Sequence, residues 1–482
     1  QKFQHINNRP SQTKIIATIG PASGNRQILK EMFLAGIDAC RLNFSHGSQS
    51  IHKETINMVN DINSELNTHV AIIADLQGPK LRIGEIENGQ VEIKQDHILT
   101  ITQHEMVGNA DKVYLNYDRL PKDAQPGDII LIDDGRLRVR VEKSNAKDEV
   151  VTRVLNGGVL SSRKGVNLPD TRLTLPSLTG KDHLDAVFAL EQGVDWIALS
   201  FVRSVDDILN LKKLIRKTRP DNKTGVIAKI EKPEALDEID EIIDVSDGIM
   251  IARGDLGVEV PFDRVPLIQK QIVNKAIYLY KPVIIATQMM ESQIENFNPT
   301  RAEANDVANA VLDGSDVLML SGETSVGKYP VQVIKNMQKI IDWTESNGFD
   351  FYLEKKPVNN TARFLPDSIC FSAVNLAKQT DAKAIIVFTH SGNTAYKVSS
   401  YRPAADIFAI TPNKAIIRKL SLLWGVRAFY NDEEPDIEMA IQQSIEFLKK
   451  QDLISEGEVV IHVGSSPVSK RGKTNLIRIN YV

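Results

Sequence analysis

The sequence predicts an α/β protein: a parallel (β/α)8 barrel, an all-β domain inserted in it, and a separate C-terminal α/β domain. Three observations carry this. Eight short runs rich in Ile, Val, Leu and Ala alternate with helical stretches and end in polar or glycine-containing turns, as parallel strands buried on both faces do. Between the third and fourth runs, period-2 alternation replaces that texture. Beyond Trp343 an aperiodic stretch leads to further strands and helices. The 482 residues suit roughly three domains. Counting strands does not close a barrel, so a doubly wound sheet is the competing reading.

The barrel strands are read at Lys14–Ile19, Cys40–Phe44, Val70–Asp75, Trp196–Phe201, Val226–Glu231, Gly248–Ala252, Pro282–Thr287 and Val317–Leu320. Helices fall at Arg26–Leu34, Asp206–Arg216 and Ala304–Leu312. Ser204 with Asp207, and Thr300 with Glu303, are capping-box signals. The barrel thus takes residues 12–79 and 177–344. The insert, 80–176, alternates as in Arg136–Val141, with turns at Pro126–Asp128 and Asp133–Gly135. Placed between a strand and its helix, it lies over the C-terminal ends of the strands, where such barrels carry their sites, and is read as a lid. Ser346–Asn360 reads as a linker whose aromatics (Phe349, Phe351, Tyr352) pack on a surface. In the last domain, 361–482, strands are read at Ala384–Thr389, Asp406–Ile410, Val426–Tyr430, Val459–Val463 and Leu476–Tyr481. Its helices are Ser368–Lys378, Thr394–Ser400 and Ile437–Lys450. The acidic stretch Asn431–Asp436 reads as a solvated loop.

Composition excludes several classes. Lys plus Arg is 58 against 62 for Asp plus Glu, a net charge of −4, with no bias toward nucleic acid or an anionic membrane. Two cysteines, Cys40 and Cys370, make neither a disulfide framework nor a Cys-rich zinc site. No apolar run reaches the roughly 18 residues of a membrane span. The polar start, Gln1–Thr13, has no apolar signal core and no initiating Met. The expectation is a soluble cytoplasmic protein.

Charge at the strand ends carries the chemistry, because a buried charge is costly unless paired or ligated. Lys229 and Glu231 share one face of a strand end. They are either an ion pair or a substrate and metal site. Asp255, in Ala252–Gly257, either caps a turn or joins Glu231 as a carboxylate pair suited to Mg²⁺. The amides around Gly254 suit an anion. Arg41, Asn43 and Ser45 alternate onto one face, and Arg suits phosphate. Against that stands a simple exit turn, with Ser45 or Ser48 capping the next helix. Asp75, Thr287 and Ser321 end three further strands. If the barrel closes, all converge on one mouth as a phosphoryl-transfer constellation. Gly322–Lys328 fits the start of a Walker A loop, but Tyr329 stands where the hydroxyl belongs, so it reads as a chance match.

The segments KIIATIGP (14–21), RLNFSHG (41–47), KGVNLP (164–169), ARGDLG (252–257), ATQMME (286–291), PTRAEA (299–304) and SGET (321–324), with Lys229–Glu231, resemble pyruvate kinase in order and spacing. The resemblance runs from about Thr13 to the C-terminus. It implies phosphoryl transfer from phosphoenolpyruvate to ADP, giving pyruvate and ATP. By this likeness Arg41 and Lys229 hold the phosphoryl group. Glu231 and Asp255 hold Mg²⁺ or Mn²⁺, and the backbone of Ala252, Arg253, Gly254 and Asp255 meets the substrate carboxylate. Thr287 and Ser321 fall on the enolate-protonation side, where water is a possible direct donor. Asn43, His46, Arg82 and Lys164 fall on the nucleotide side, and Arg301 near a subunit interface. A homotetramer is implied by the likeness alone.

Many relatives bind K⁺ at positions matching Asn43, Ser45 and Asp75. Here Leu76 and Lys80 resemble the K⁺-independent branch, and a lysine ammonium would supply that charge. A surface lysine at the hinge is the plainer reading of Lys80. In the C-terminal domain Thr389, His390, Ser391, Gly392, Asn393 and Thr394 form a hydroxyl-rich strand-to-helix turn. It is either a phosphate cradle for a sugar-phosphate or nucleotide effector or an ordinary helix start. Gly464–Pro467 and the basic Lys470–Lys473 would close over it. Two other functions stay open: a Mg²⁺-dependent barrel lyase acting on pyruvate enolate, and a non-catalytic module that kept the fold.

Overall fold

The computed structural model describes residues 11–348, 350–358, 363–432, 436–466 and 474–482. The start through residue 10, Phe349, the end of the linker stretch, the middle of the acidic stretch and the basic run 470–473 lie outside the described residues.

Eight parallel strands close into a barrel in the order 1-8-7-6-5-4-3-2, which excludes the doubly wound sheet. They are Lys14–Ile19, Ala39–Asn43, Ala71–Asp75, Trp196–Leu199, Gly225–Ile230, Gly248–Ala252, Val283–Ala286 and Val317–Leu320. Each bound lies within two residues of the sequence reading. The fourth and seventh end early because Phe201 (φ 54°) and Thr287 (φ 69°) enter the left-handed region, which ends a strand. Ile16, Ile73, Trp196, Met250, Ile284 and Met319 fill the interior.

The outer helices start where the caps say. Thr300 N donates to Glu303 Oε2 at 2.8 Å and Glu303 N to Thr300 Oγ1 at 3.1 Å. That box starts the helix at Arg301, three residues before the apolar run read at Ala304.

The insert folds as a six-stranded and a two-stranded sheet around its own apolar core. Arg203, just beyond the fourth barrel strand, donates to the carbonyls of Leu173 (2.6 Å) and Leu175. Asn167 Nδ2 reaches Glu259 Oε1 at 2.8 Å. These bonds tie the insert to the C-terminal ends of the strands, as read.

The C-terminal domain is a five-stranded sheet in which only Leu476–Tyr481 runs antiparallel. Its first helix, Phe364–Gln379, starts four residues before the reading. The domain docks on the opposite, N-terminal end of the barrel. Leu422 joins the barrel's interior cluster. Arg402 donates to Gly314 O and Asp316 Oδ2, both at 2.8 Å, and Trp424 N to Asp316 Oδ1 at 3.0 Å.

Candidate active site

Asp75 is the hub of the barrel mouth. Its carboxylate is 1% exposed and takes Arg41 Nε at 2.6 Å and Lys229 Nζ at 3.1 Å. Lys229 Nζ also lies 3.0 Å from Glu231 Oε1 and 2.7 Å from Ser200 Oγ. Arg41 NH1 donates to Thr18 Oγ1 at 3.0 Å. Six residues from the ends of the first five barrel strands therefore form one buried network. Register explains it: Asn43 pairs with Asp75 and Lys229 with Met250 across neighbouring strands, so alternate residues at the strand tips face one space.

Burial opposes the Asp75 charge, but Arg41 and Lys229 outweigh it and hold its pKa below the usual range. Burial likewise opposes the Lys229 ammonium, and Asp75 with Glu231 holds it charged. Glu231 differs. Burial raises its pKa to about 7, Lys229 pulling it down and nearby Asp255 pushing it up. Glu231 and Asp255 are neighbouring carboxylates at the mouth, a donor set that fits a divalent cation taking one or two carboxylates plus substrate oxygens.

Thr287 and Gln288 form a strained turn, with φ of 69° and 56°. Thr287 Oγ1 donates to Ala286 O at 2.6 Å and accepts from Gly254 N at 2.7 Å. The reading gives Arg253 a backbone role only, and its side chain is engaged elsewhere. Its guanidinium turns away, pairing with both Asp306 oxygens at 2.8 Å and donating to the Thr287 carbonyl at 2.9 Å. A bidentate partner and several carbonyls outcompete solvent for it. Ser321 Oγ is buried with no hydrogen-bond partner among the described residues. Its backbone N donates to Glu323, whose other oxygen takes Met290 N.

A cationic rim surrounds this floor. Burial and then the charges of Lys80, Arg82 and Arg41 lower the His46 pKa, so the four lie close together. Lys80 is half-buried; burial and the charges of Arg82 and Lys229 pull its pKa down, while Asp255 and Asp134 oppose them. Among the described residues it makes no ion pair with Asp75. Arg82 and Gly165 form an antiparallel bridge at the base of the insert. Lys164 pairs with Asp133 at 2.9 Å, within the insert and not with the mouth. Asn43 Oδ1 accepts from Ser45 N at 3.1 Å and stays outside the ion-pair network. Ser48, not Ser45, caps the next helix.

The reading missed Thr18, Ser200, Asp306 and Glu323. Thr18 and Ser200 sit at strand ends and carry hydroxyls, the same signal that singled out Ser321. Asp306 and Glu323 lie on helices, where nothing in the local pattern distinguishes them. Gly322–Ser325 is one helical turn and not a phosphate loop.

Comparison with known proteins follows this geometry. The family described as "Pyruvate kinase, barrel domain" matches residues 10–334, and "Pyruvate kinase, alpha/beta domain" matches residues 367–480. The chain belongs to the pyruvate kinase family. It is 40% identical over 478 residues to a pyruvate kinase of Geobacillus stearothermophilus, covering 98% of this chain and 80% of that one. With that of Clostridium acetobutylicum it shares 39% over 476 residues, 98% and 99% of the two chains. A solved pyruvate kinase from Cryptosporidium parvum superposes with a TM-score of 0.92 at 36% identity, covering 99% of this chain and 97% of that one. Family membership makes the chain a transferase of the pyruvate kinase kind. Among the described residues no helix is long and apolar enough to cross a membrane.

The Thr389–Thr394 turn lies at the other end of the molecule, against the barrel floor. Gly392 N donates to Thr389 Oγ1 at 2.9 Å, and the helix Asn393–Ser400 follows. The turn lines a cavity that also reaches Asp247 and Lys281 of the barrel.

Proposed function

We propose that this chain transfers the phosphoryl group of phosphoenolpyruvate to ADP in glycolysis, with Mg²⁺ or Mn²⁺ and without K⁺. The observation that carries the reading is the buried Arg41–Asp75–Lys229–Glu231 network beneath the cationic rim. Phosphoryl transfer breaks the bond to the enol oxygen and forms one to ADP, spreading negative charge over phosphoryl and enolate oxygens. Arg41 and Lys229 are preorganised cations for that charge, and Asp75 keeps both aimed and ionised. Glu231 and Asp255 would hold the metal, which supplies Lewis-acid neutralisation of the same oxygens. Amides of Ala252–Asp255 would receive the substrate carboxylate. Arg82, His46 and Lys164 would meet the nucleotide as the insert closes and excludes water.

Thr287 and Ser321 fall on the enolate side. Both hydrogen-bonding functions of the Thr287 hydroxyl are engaged in the structure, which supports water as the direct proton donor. For K⁺ independence the support is Lys80, a partly buried ammonium at the mouth whose charge Asp255 favours. The Thr389–Thr394 turn would bind a phosphorylated effector, and a cytoplasmic homotetramer is the expected assembly, with Arg301 near an interface.

The test is pyruvate formation from phosphoenolpyruvate, ADP and Mg²⁺, with K⁺ or with tetramethylammonium. Equal rates are expected. A rate confined to K⁺ discards the role of Lys80 and keeps the enzyme. Pyruvate without ADP returns the lyase. A folded protein that binds nucleotide but makes no pyruvate returns the binding module.

A further inference from the structure

Outside its two connecting segments, the insert touches the barrel through one polar contact. Among the described residues, the single hydrogen bond from residues 81–172 to the barrel runs from Asn167 Nδ2 to Glu259 Oε1 at 2.8 Å. The same oxygen takes Lys232 Nζ at 2.7 Å, and the Lys232 and Glu259 side chains are 5% and 1% exposed. Glu259 Oε2 is enclosed without a hydrogen-bond partner among the described residues. Replacing such a pair by packed apolar side chains is often neutral or stabilising. Packing therefore does not by itself explain a charged pair at a domain seam.

The pair's place in the chain ties it to the mouth. Lys232 directly follows Glu231, and Glu259 ends the helix Arg253–Glu259, one turn beyond Asp255. The two elements that would carry the metal therefore also carry the pair. On the insert's side, Asn167 lies three residues beyond Lys164. That segment is held in register by Ile83 N to Lys164 O at 2.9 Å and Val166 N to Leu81 O at 3.0 Å, with Arg82 bridged to Gly165. Fixing Asn167 thus fixes where Lys164 and Arg82 stand relative to the mouth. Lys232 Nζ also lies 5.9 Å from the Phe201 ring centroid. That ring abuts the first connecting segment so closely that a Cβ on Gly78 would come within 2.8 Å of Phe201 Cδ2.

We propose that Asn167 and Glu259 are positioning residues for nucleotide binding. Glu259, anchored by Lys232, is a charged acceptor on which Asn167 docks, and this latch holds Lys164 and Arg82 of the insert over the mouth. Lys232 stays paired with Glu259 when Asn167 leaves, so the insert is released by breaking one hydrogen bond with no charge left unpaired. The role in nucleotide binding rests on reading the mouth as the site of transfer to ADP.

Exchanging amide and carboxylate in the full chain tests it. Asn167→Asp sets two carboxylates against each other. Adding Glu259→Gln restores one amide facing one carboxylate beside Lys232. The native Cys40 and Cys370 are buried, so spin labels can be placed on Lys143→Cys of the insert and Lys213→Cys of the barrel, both exposed positions. In the ligand-free protein the distance distribution between the labels should broaden about twofold in Asn167→Asp and Asn167→Ala, and narrow again in the double variant. Without the labels, KM for ADP should rise about tenfold in both single variants and recover in the double variant, with KM for phosphoenolpyruvate within about twofold throughout. Parent-like distances in both single variants overturn the proposal. So does an unchanged KM for ADP, or a double variant no better than Asn167→Asp. If the double variant does not fold, the two single variants decide by distance and KM. Failure of the transfer reading shows separately, as a parent that makes no pyruvate, and the distances then decide the latch.

Discussion

Lys229 shows how a single charge serves the mouth. It sits at the end of an apolar strand, 8% exposed, held by Asp75, Glu231 and Ser200. Its loss leaves the Glu231 carboxylate buried without its ammonium partner and, in the proposed reaction, removes a cation from the reacting oxygens. Lys229→Met is expected to lower kcat by roughly 10²–10³ while the far-ultraviolet circular dichroism stays native. A drop in KM-type binding alone would remove Lys229 from the transferring group's path. His462 is a residue of another kind. It is fully buried, stacked on Phe388 at 5.7 Å and within 3.1 Å of Ser444 Oγ. Burial lowers its pKa from 6.5 to about 4. Between those values the unfolded chain holds a proton that the folded chain does not. The stabilisation is therefore complete above pH 6.5 and lost as pH falls through about 4, on the order of 3 kcal/mol. Chemical denaturation across that range should show this loss, and His462→Gln should flatten it. An unchanged pH slope in that variant would place the acid sensitivity elsewhere. The charged residues of the mouth were legible because charge at the end of an apolar strand is conspicuous. Which atoms they bind was not, since Arg253 and Arg41 look alike in sequence and turn opposite ways.

Among elements, caps and strand ends decide the boundaries. The box of Thr300 and Glu303 starts the helix that carries Asp306, and Asp306 holds Arg253, which holds the Thr287 turn. Thr300→Ala should cost about 1 kcal/mol of stability. By this chain of contacts it should also raise the mobility of the Thr287 turn. Denaturant melts give the first, and hydrogen exchange at residues 286–290 the second. Faster exchange elsewhere, with none at that turn, would break the proposed chain. The strands themselves were readable within two residues because runs of Ile, Val and Ala buried on both faces have no other use. The overreach at Phe201 and Thr287 has a local cause. A positive φ at a non-glycine residue is imposed by tertiary bonds, here Phe201 N to Glu231 Oε2 at 2.7 Å and Arg253 to the Thr287 carbonyl.

The whole molecule is held by a polar joint under an apolar plug. Asp316 takes Arg402, Val283 N and Trp424 N, joining barrel to C-terminal domain with both charges almost fully buried. Asp316→Ala leaves the Arg402 guanidinium buried and unpaired and should cost about 3–5 kcal/mol. A thermal melt should fall steeply and split into two transitions as the domains uncouple. A variant that melts like the parent would show that Leu422 and its neighbours carry the joint alone. The order of textures along the chain determined much by itself: eight barrel strands, an all-β insert over their C-terminal ends, a separate last domain, and a cluster of charge at the strand tips. These are properties of periodicity and burial, which local sequence records. Closure of the barrel, the Asp75 hub, the outward turn of Arg253 and the cavity under the floor were decided only by tertiary structure. Each depends on residues far apart in the chain meeting at one register or one domain boundary, and no local pattern encodes that meeting.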